Sequence, residues 1–318
     1  MSGVAVLGGA GFIGSNLVDA LLMAGHDVTV LDNFSEGKRE NLVGARQIAE
    51  SLGRTLDVVR GDIRDLDTVT RIVDHKFCVF HLAAMSRIQP SITDPILAWS
   101  QNIVGTGNVL EACRQGEVRR VVYSASSSAY GELNSPPMVE TMPTDCLNPY
   151  SLSKKVGEEM VEMYRKLYGL STVSLRYFNV YGPRHQEDGD YATVIAIFRR
   201  QRRYGKKLTV VGDGEQRRDF TFVGDVVRAN MLAMMDLETH GTFNVGTGRN
   251  YSINEVAALV GGDVEHVPSR PAEARLTLAD VRKIGDRLGW RPTVSLEQGL
   301  LTLDDYERRN ATIVVPGR

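Results

Sequence analysis

Val4-Ala5-Val6-Leu7-Gly8-Gly9-Ala10-Gly11-Phe12-Ile13-Gly14 is the stretch that decides the fold. Four apolar residues ending in glycine read as a strand buried on both faces. Ile13, Leu17, Leu21 and Leu22 then recur at helical spacing, and Gly25 closes that helix. Between strand and helix, Gly8, Gly11 and Gly14 follow one another at intervals of three. Such a turn is tight, and a backbone bare of side chains lets a pyrophosphate approach the helix N-terminus. Unpaired N–H groups and the helix dipole stabilise the anion there. Asp27–Leu31 is the next strand, and Asp32 stands at its end, 18 residues after Gly14. A carboxylate at that place accepts hydrogen bonds from ribose hydroxyls and repels a 2′-phosphate, so the pattern predicts NAD in preference to NADP. Gly61-Asp62-Ile63 follows the third strand; Asp62 either reaches the adenine ring or caps a helix beginning at Arg64.

Outward from that core, apolar runs at Leu56–Val59, Cys78–Leu82, Arg120–Ser124 and Thr172–Leu175 alternate with helical patterns around residues 40–52, 65–74, 95–114 and 150–168. Alternating buried-type strands and helices predict an α/β fold, a Rossmann-type doubly wound parallel sheet with right-handed crossovers. After Arg176 the rhythm changes. Loop-like chain at 177–190 precedes a cationic helix (192–204), short strands near 208–211 and 219–223, and helices near 225–236 and 252–260. The division expected is an NAD-binding domain over 1–176 and a smaller, mainly substrate-binding part over 177–318, with room for some of the second half to return to the sheet.

Composition narrows the partners. The 318 residues are 42% apolar and 24% charged, with a net charge of -2, ordinary values for a globular protein. No global field favours nucleic acid or an anionic membrane. The three cysteines, Cys78, Cys113 and Cys146, have no metal-ligand or disulfide spacing, which fits a reducing compartment. Met1 to Leu7 run straight into a strand without a signal-peptide pattern, and no apolar stretch approaches the ~20 residues of a membrane span. A cytoplasmic protein is expected. The six cations of the segment Phe198–Lys207 are read as a solvated helix face. The histidines show no ligand spacing, and no metal is expected.

The reactive group is sought in Tyr150-Ser151-Leu152-Ser153-Lys154, where Tyr and Lys at i and i+4 share a helix face. A free phenol ionises near pH ~10, and a nearby ammonium favours its phenolate. That pair makes a general base for a sugar hydroxyl while a hydride leaves the same carbon. Ser124-Ala125-Ser126-Ser127-Ser128 follows the strand at Arg120–Tyr123, so its hydroxyls stand at the ligand-facing end of a parallel sheet. Some of the four serines simply satisfy backbone at a strand end.

Together these motifs resemble the extended short-chain dehydrogenase/reductase family, in its NAD-dependent epimerase/dehydratase group, and more narrowly the UDP-glucose and UDP-N-acetylglucosamine 4-epimerases. The stretches Asp32–Asn41, His81-Leu82-Ala83-Ala84, Arg176–Arg184, Gly212–Phe220 and Arg270-Pro271-Ala272-Glu273 carry the likeness over nearly the whole chain. The resemblance implies that Tyr150 is the base, Lys154 its partner and Ser126 the serine at the sugar 4-hydroxyl. It places Gly8, Gly11, Phe12, Ile13, Gly14, Asp32, Asn33, Asp62, Ile63, Ala83, Ala84 and Tyr177 around NAD, together with Tyr150 and Lys154. It assigns Asn179, Arg218 and Arg270 to a UDP diphosphate and Glu273 to the uridine ribose. Guanidinium forks match phosphate oxygens. It also implies a homodimer through the helices near 95–114 and 150–168.

Departures from the family pattern bear on the sugar. Ser127 and Ser128 stand where dehydratases carry an Asp-Glu pair, and decarboxylases usually carry Glu at the second of these; both reactions are disfavoured, and Ser128 becomes a substrate contact. Thr277 falls where a larger residue in some relatives restricts the pocket to plain hexoses, so N-acetylhexosamines are expected alongside glucose and galactose. Arg87, in Met85-Ser86-Arg87-Ile88-Gln89-Pro90, either meets a substrate carboxylate or pairs with a nearby acid. Ala272-Glu273 replaces the more usual Gly-Asp. Besides the 4-epimerase, two readings compete. One is another nucleotide-sugar enzyme of the family (uronic acid epimerase, decarboxylase or reductase), the reductase using NAD as a released cosubstrate. The other is a non-catalytic NAD-binding regulator, disfavoured because such proteins commonly lose the Tyr or the Lys.

Overall fold

Residues alternate along the first strand, with Val4 and Val6 in one apolar core and Ala5 and Leu7 in another. This is what a sheet covered on both faces requires. The computed structural model describes residues 3–189, 192–269 and 274–311. In chain order the first half runs β1 (Val4–Leu7), α1 (Phe12–Met23), β2 (Val28–Asp32), α2 (Val43–Leu52), β3 (Leu56–Arg60), α3 (Leu66–Val73), β4 (Cys78–His81), α4 (Ile88–Thr93), α5 (Pro95–Trp99), α6 (Gly105–Gln115), β5 (Arg120–Ser126), α7 (Pro149–Tyr168) and β6 (Thr172–Tyr177). The second runs β7 (Val180–Tyr181), α8 (Val194–Arg203), β8 (Leu208–Val211), β9 (Arg217–Arg218), β10 (Thr221–Phe222), α9 (Val223–Met235), β11 (Gly241–Val245), β12 (Tyr251–Ser252), α10 (Ile253–Val260), β13 (Val264–Val267), α11 (Arg282–Leu288) and α12 (Leu296–Ala311).

Seven parallel strands form the central sheet in the order β11-β6-β5-β4-β1-β2-β3. The order reverses beside β1, which is where a doubly wound sheet opens its crevice. One face packs under α1, α2, α9 and α11 through Leu17, Val18, Leu21, Ala45, Val226 and Ile284. The other packs under α3, α6 and α7 through Val69, Val109, Leu110 and Val161. A third core, of Ile195, Phe198, Leu208, Val256, Leu300 and Leu303, joins α8, β8, α10 and α12 into a smaller body. The second half does return to the sheet: β11 is its edge strand and α9 covers it beside α1. Among the described residues no helix is long and apolar enough to cross a membrane.

Two sequence expectations change. The helix around 95–114 is broken: α5 passes into a π-turn at Ser100–Val104 before α6 begins at Gly105. A Cβ on Gly105 would lie 2.5 Å from Ile63 Cδ1, so the chain needs glycine there, and the wider turn rotates Asn102 inward, where it is buried. The helix read from Arg64 begins instead at Leu66, with Asp65 as its cap accepting from Thr68 N–H.

Candidate active site

The carboxyl ends of the sheet strands and the smaller body enclose a cleft of about 540 Å³. It brings together Gly8, Gly11, Phe12, Ile13, Gly14, Asp32, Asn33, Asp62, Ile63, Ala83, Ala84 and Tyr177 from the cofactor set. It also brings Arg87, Ser126, Ser128, Tyr150, Lys154, Asn179, Arg218 and Thr277 to the same space. Arg270 and Glu273 lie outside the described residues, as does Ala272.

At one end the backbone makes the site. Gly8 has φ +83°, and a Cβ there would lie 2.7 Å from Ala83 N. On Gly14 it would lie 2.2 Å from the Gly8 carbonyl oxygen. These glycines pack α1 hard against β1 and keep the turn bare. Gly11 caps α1 without any side-chain hydrogen bond, leaving first-turn N–H groups for an anion. The Asp32 carboxylate accepts from Ala10 N–H at 2.9 Å and Phe34 N–H at 2.8 Å. Burial raises its pKa, while those backbone bonds oppose the rise. Asn33 donates to Asp62 at 3.0 Å. Arg64 grips the Asp62 carboxylate and holds its pKa down to about 2. Asp65 having taken the helix cap, Asp62 stands with Asn33 at the cleft wall. The cradle that any added Cβ would fill, followed by a carboxylate, fits a dinucleotide.

In the middle lie the reactive side chains. α7 starts where it does because Pro149 occupies its first turn and Asn148 and Ser151 form a reciprocal capping box. Gly169, at φ +69°, ends it. Tyr150 N–H donates to Ser91 Oγ at 3.1 Å, which ties the start of α7 to α4. β5 runs two residues further than its apolar pattern and delivers Ser126 at its end. The Ser126 hydroxyl accepts Ser128 N–H at 3.2 Å and shares a hydrogen bond with Ser128 Oγ at 2.9 Å, and it lines the cleft together with Tyr150. Ser124 bonds instead to the Tyr177 hydroxyl at 3.0 Å, which Asn230 also holds. Ser124 is thus one of the serines satisfying its surroundings.

The electrostatics differ from the sequence reading. Burial pushes the Tyr150 phenol above its ordinary value, and the Ser126 hydroxyl and the charge of Arg87 oppose that rise. Lys154 is itself buried and its pKa is driven down to about 7, with Glu158 as the opposing pull. Its Nζ sits over the Tyr123 ring, 4.6 Å from the centroid. Arg87 thus adds a charge that favours the phenolate, and burial makes the ammonium of Lys154 costly to keep.

The far end is made of side chains from scattered loops. Asn179 donates to the Asp219 carbonyl at 3.1 Å and to Thr277 Oγ1 at 3.4 Å. Arg218 lies in β9, held beside β12, and donates to the Arg217 carbonyl at 3.1 Å. Arg87 caps α4 at the cleft wall, and its charge is felt by both Tyr150 and the buried His185. The cations of the segment are exposed, as its sequence suggests, except Arg199. Arg199 is buried against Asp304 and Glu307 of α12, while Arg200 and Arg203 pair with Asp188 and Glu187.

Sequence reasoning missed Asn102. Its side chain accepts Met85 N–H at 2.8 Å and donates to the Met85 carbonyl at 3.0 Å and to Ser153 Oγ at 2.9 Å. It thereby fastens the loop after β4 to α7 between Tyr150 and Lys154. Nothing in a helical pattern announces a π-turn.

Residues 5–303 match the family model described as GDP-mannose 4,6 dehydratase. A relative from Methanocaldococcus jannaschii, named putative UDP-glucose 4-epimerase, is 35% identical over 96% of this chain and 99% of its own. The UDP-glucose 4-epimerase of Thermotoga maritima, solved with UDP-glucose, superposes with a TM-score of 0.90 at 36% identity, covering 97% of this chain and 99% of that one. A UDP-glucuronic acid 4-epimerase mutant from Bacillus cereus, solved with UDP-4-deoxy-4-fluoro-glucuronic acid and NAD, superposes with a TM-score of 0.88 at 31% identity, covering 96% and 99%.

Proposed function

Because this chain belongs to the extended short-chain dehydrogenase/reductase family, in its NAD-dependent epimerase/dehydratase group, we propose that it is an NAD-dependent UDP-sugar 4-epimerase. Its substrates are UDP-glucose and UDP-galactose, together with UDP-GlcNAc and UDP-GalNAc. The observation that carries this reading is the shared cleft: Ser126, Tyr150 and Lys154 line the same space as the glycine cradle. NAD, held by the glycine turn and Asp32, would supply the acceptor and donor of the C4 hydride. Tyr150 receives the 4-hydroxyl proton and gives it back, and Ser126 relays or orients that hydroxyl. Arg87 and a protonated Lys154 favour the phenolate. Asn179 and Arg218, with Arg270 and Glu273 beyond the described residues, hold the UDP end while the sugar reorients. Thr277 leaves space for an N-acetyl group. A homodimer through α5 to α7 is part of the reading. Ile96, Leu152, Met163 and Leu167 are exposed apolar side chains there.

Arg87 favours a second reading. A guanidinium at the cleft wall, near enough to act on the phenol, suits a sugar carboxylate. UDP-glucuronate would then be the substrate, epimerised by the same steps. The test is incubation with UDP-glucose, UDP-GlcNAc and UDP-glucuronate without added NAD, followed by proton NMR, with Tyr150→Phe as control. We expect inversion at C4 with the first two and a loss of about 10²-fold or more in the control. Inversion of UDP-glucuronate alone selects the second reading. No inversion of any substrate, or an unimpaired control, overturns the proposal.

A further inference from the structure

α7 carries a third ionisable residue on the face that bears Tyr150 and Lys154. Glu158 follows Lys154 by four residues, as Lys154 follows Tyr150, so the three stand on successive turns of one stripe. Lys154 and Glu158 are both 4% exposed. Arg176, in β6 and equally enclosed, donates to the two Glu158 oxygens at 2.7 Å each and lies 4.7 Å from the centre of the Tyr130 ring. Lys155 approaches the same carboxylate at 3.7 Å.

A buried ion pair is weak evidence for stability, since apolar residues of similar volume often serve as well. This pair lies one helical turn from an ammonium that the chemistry needs charged. The groups facing Lys154 are few. From β4 and β5 come His81, held neutral with its pKa lowered to about 3, and Tyr123, whose phenol burial keeps protonated. From the π-turn and α6 come the uncharged Asn102 and Thr106, which bond to Ser153 and His81. Its own helix supplies Tyr150 and Glu158. Behind Glu158 lie Arg176, Lys155 and Tyr130, with Glu140 and Lys283 beyond them. Among the described residues, the carboxylate that acts on Lys154 is Glu158. The Arg176 fork fixes it in place, so it cannot swing toward solvent.

We propose, on the epimerase reading above, that Glu158 is a positioning residue: anchored by Arg176, it keeps Lys154 protonated so that Tyr150 can ionise. Glu158 touches neither substrate nor the reacting carbon and acts only through Lys154. Burial alone drives the Lys154 pKa down, and Glu158 is what opposes it. Removing that charge moves the loss of the ammonium to lower pH, and with it the alkaline limb of turnover.

The experiment compares pH profiles of kcat and KM for the wild type, Glu158→Gln, Glu158→Asp and the double variant Glu158→Gln/Arg176→Met, in each case with the UDP-sugar the wild type epimerises. The double variant removes the pair without stranding a buried cation. In Glu158→Gln and the double variant the alkaline limb of kcat moves down by about one pH unit or more, and kcat at the alkaline end falls roughly tenfold. The deficit shrinks as pH falls, and KM stays within about twofold because no ligand contact is lost. Glu158→Asp retains the wild-type limb. A folded double variant with the wild-type profile would show that Glu158 merely neutralises Arg176, and the inference fails. If Glu158→Gln does not fold, the double variant decides alone. Absence of any epimerisation by the wild type refutes the underlying function instead, which keeps the two failures apart.

Discussion

The two ends of the cleft are built by different means. The cofactor end comes mostly from the first 84 residues and is made largely of backbone: bare glycines, a helix N-terminus, and an aspartate pinned by two main-chain N–H groups. The opposite end draws on residues 87, 126–128, 179, 218 and 277, which are side chains from separate loops and strands. A ligand part common to every member of a family can be held by backbone that no substitution easily alters. The part that varies is met by side chains that can be exchanged singly. The backbone as a whole does not separate the sugars: the chain superposes on a UDP-glucose and a UDP-glucuronic acid 4-epimerase almost equally well.

Three measurements test that contrast. The largest effect falls at the backbone end. Gly14→Ala puts a methyl 2.2 Å from a carbonyl oxygen that cannot move aside, so purified protein should lose its retained nucleotide and its turnover with every sugar alike. Absorbance of the purified variant and NMR of the products read both losses. If nucleotide retention is unchanged, the rigid cradle is not what binds. At the side-chain end, Thr277→Tyr should separate the sugars. kcat/KM for UDP-GlcNAc falls by about tenfold or more, while that for UDP-glucose stays within about threefold. Equal losses would mean that Thr277 serves the loop through Asn179 and Asp219 and not the pocket.

The smallest effect lies between the ends and concerns stability. Burial drives the Lys154 pKa down to about 7 in the folded chain, well below the ~10.4 of an exposed lysine. Between these values the unfolded chain binds the extra proton, so this residue makes stability rise with pH across that window. In nucleotide-stripped protein, Lys154→Met should therefore melt above the wild type at pH 7, and the gap should narrow toward pH 10. A gap independent of pH would show that the ammonium is not strained by burial.

Much of this could be read beforehand, and the reason is locality. The glycine turn, Asp32, and the Tyr150–Lys154 spacing are each set within a few residues by steric demands and helical period, so they survive translation from sequence to space. Asp62 could not be settled this way, because its role depended on whether Asp65 took the helix cap. Arg199 read as solvated, because the acids that bury it lie more than 100 residues away, in α12.

What the sequence determined by itself was the parallel sheet and the dinucleotide turn, and it singled out the candidate reactive side chains, since these follow from periodicity and from where only glycine fits. What only the tertiary structure decided was the electrical state of those side chains and the company they keep. It brought Arg87 to the same cleft as the phenol, turned Asn102 inward through a π-turn, and set Glu158 on Arg176. A pKa depends on burial and on charges brought close from distant strands, and neither quantity exists until the chain has folded.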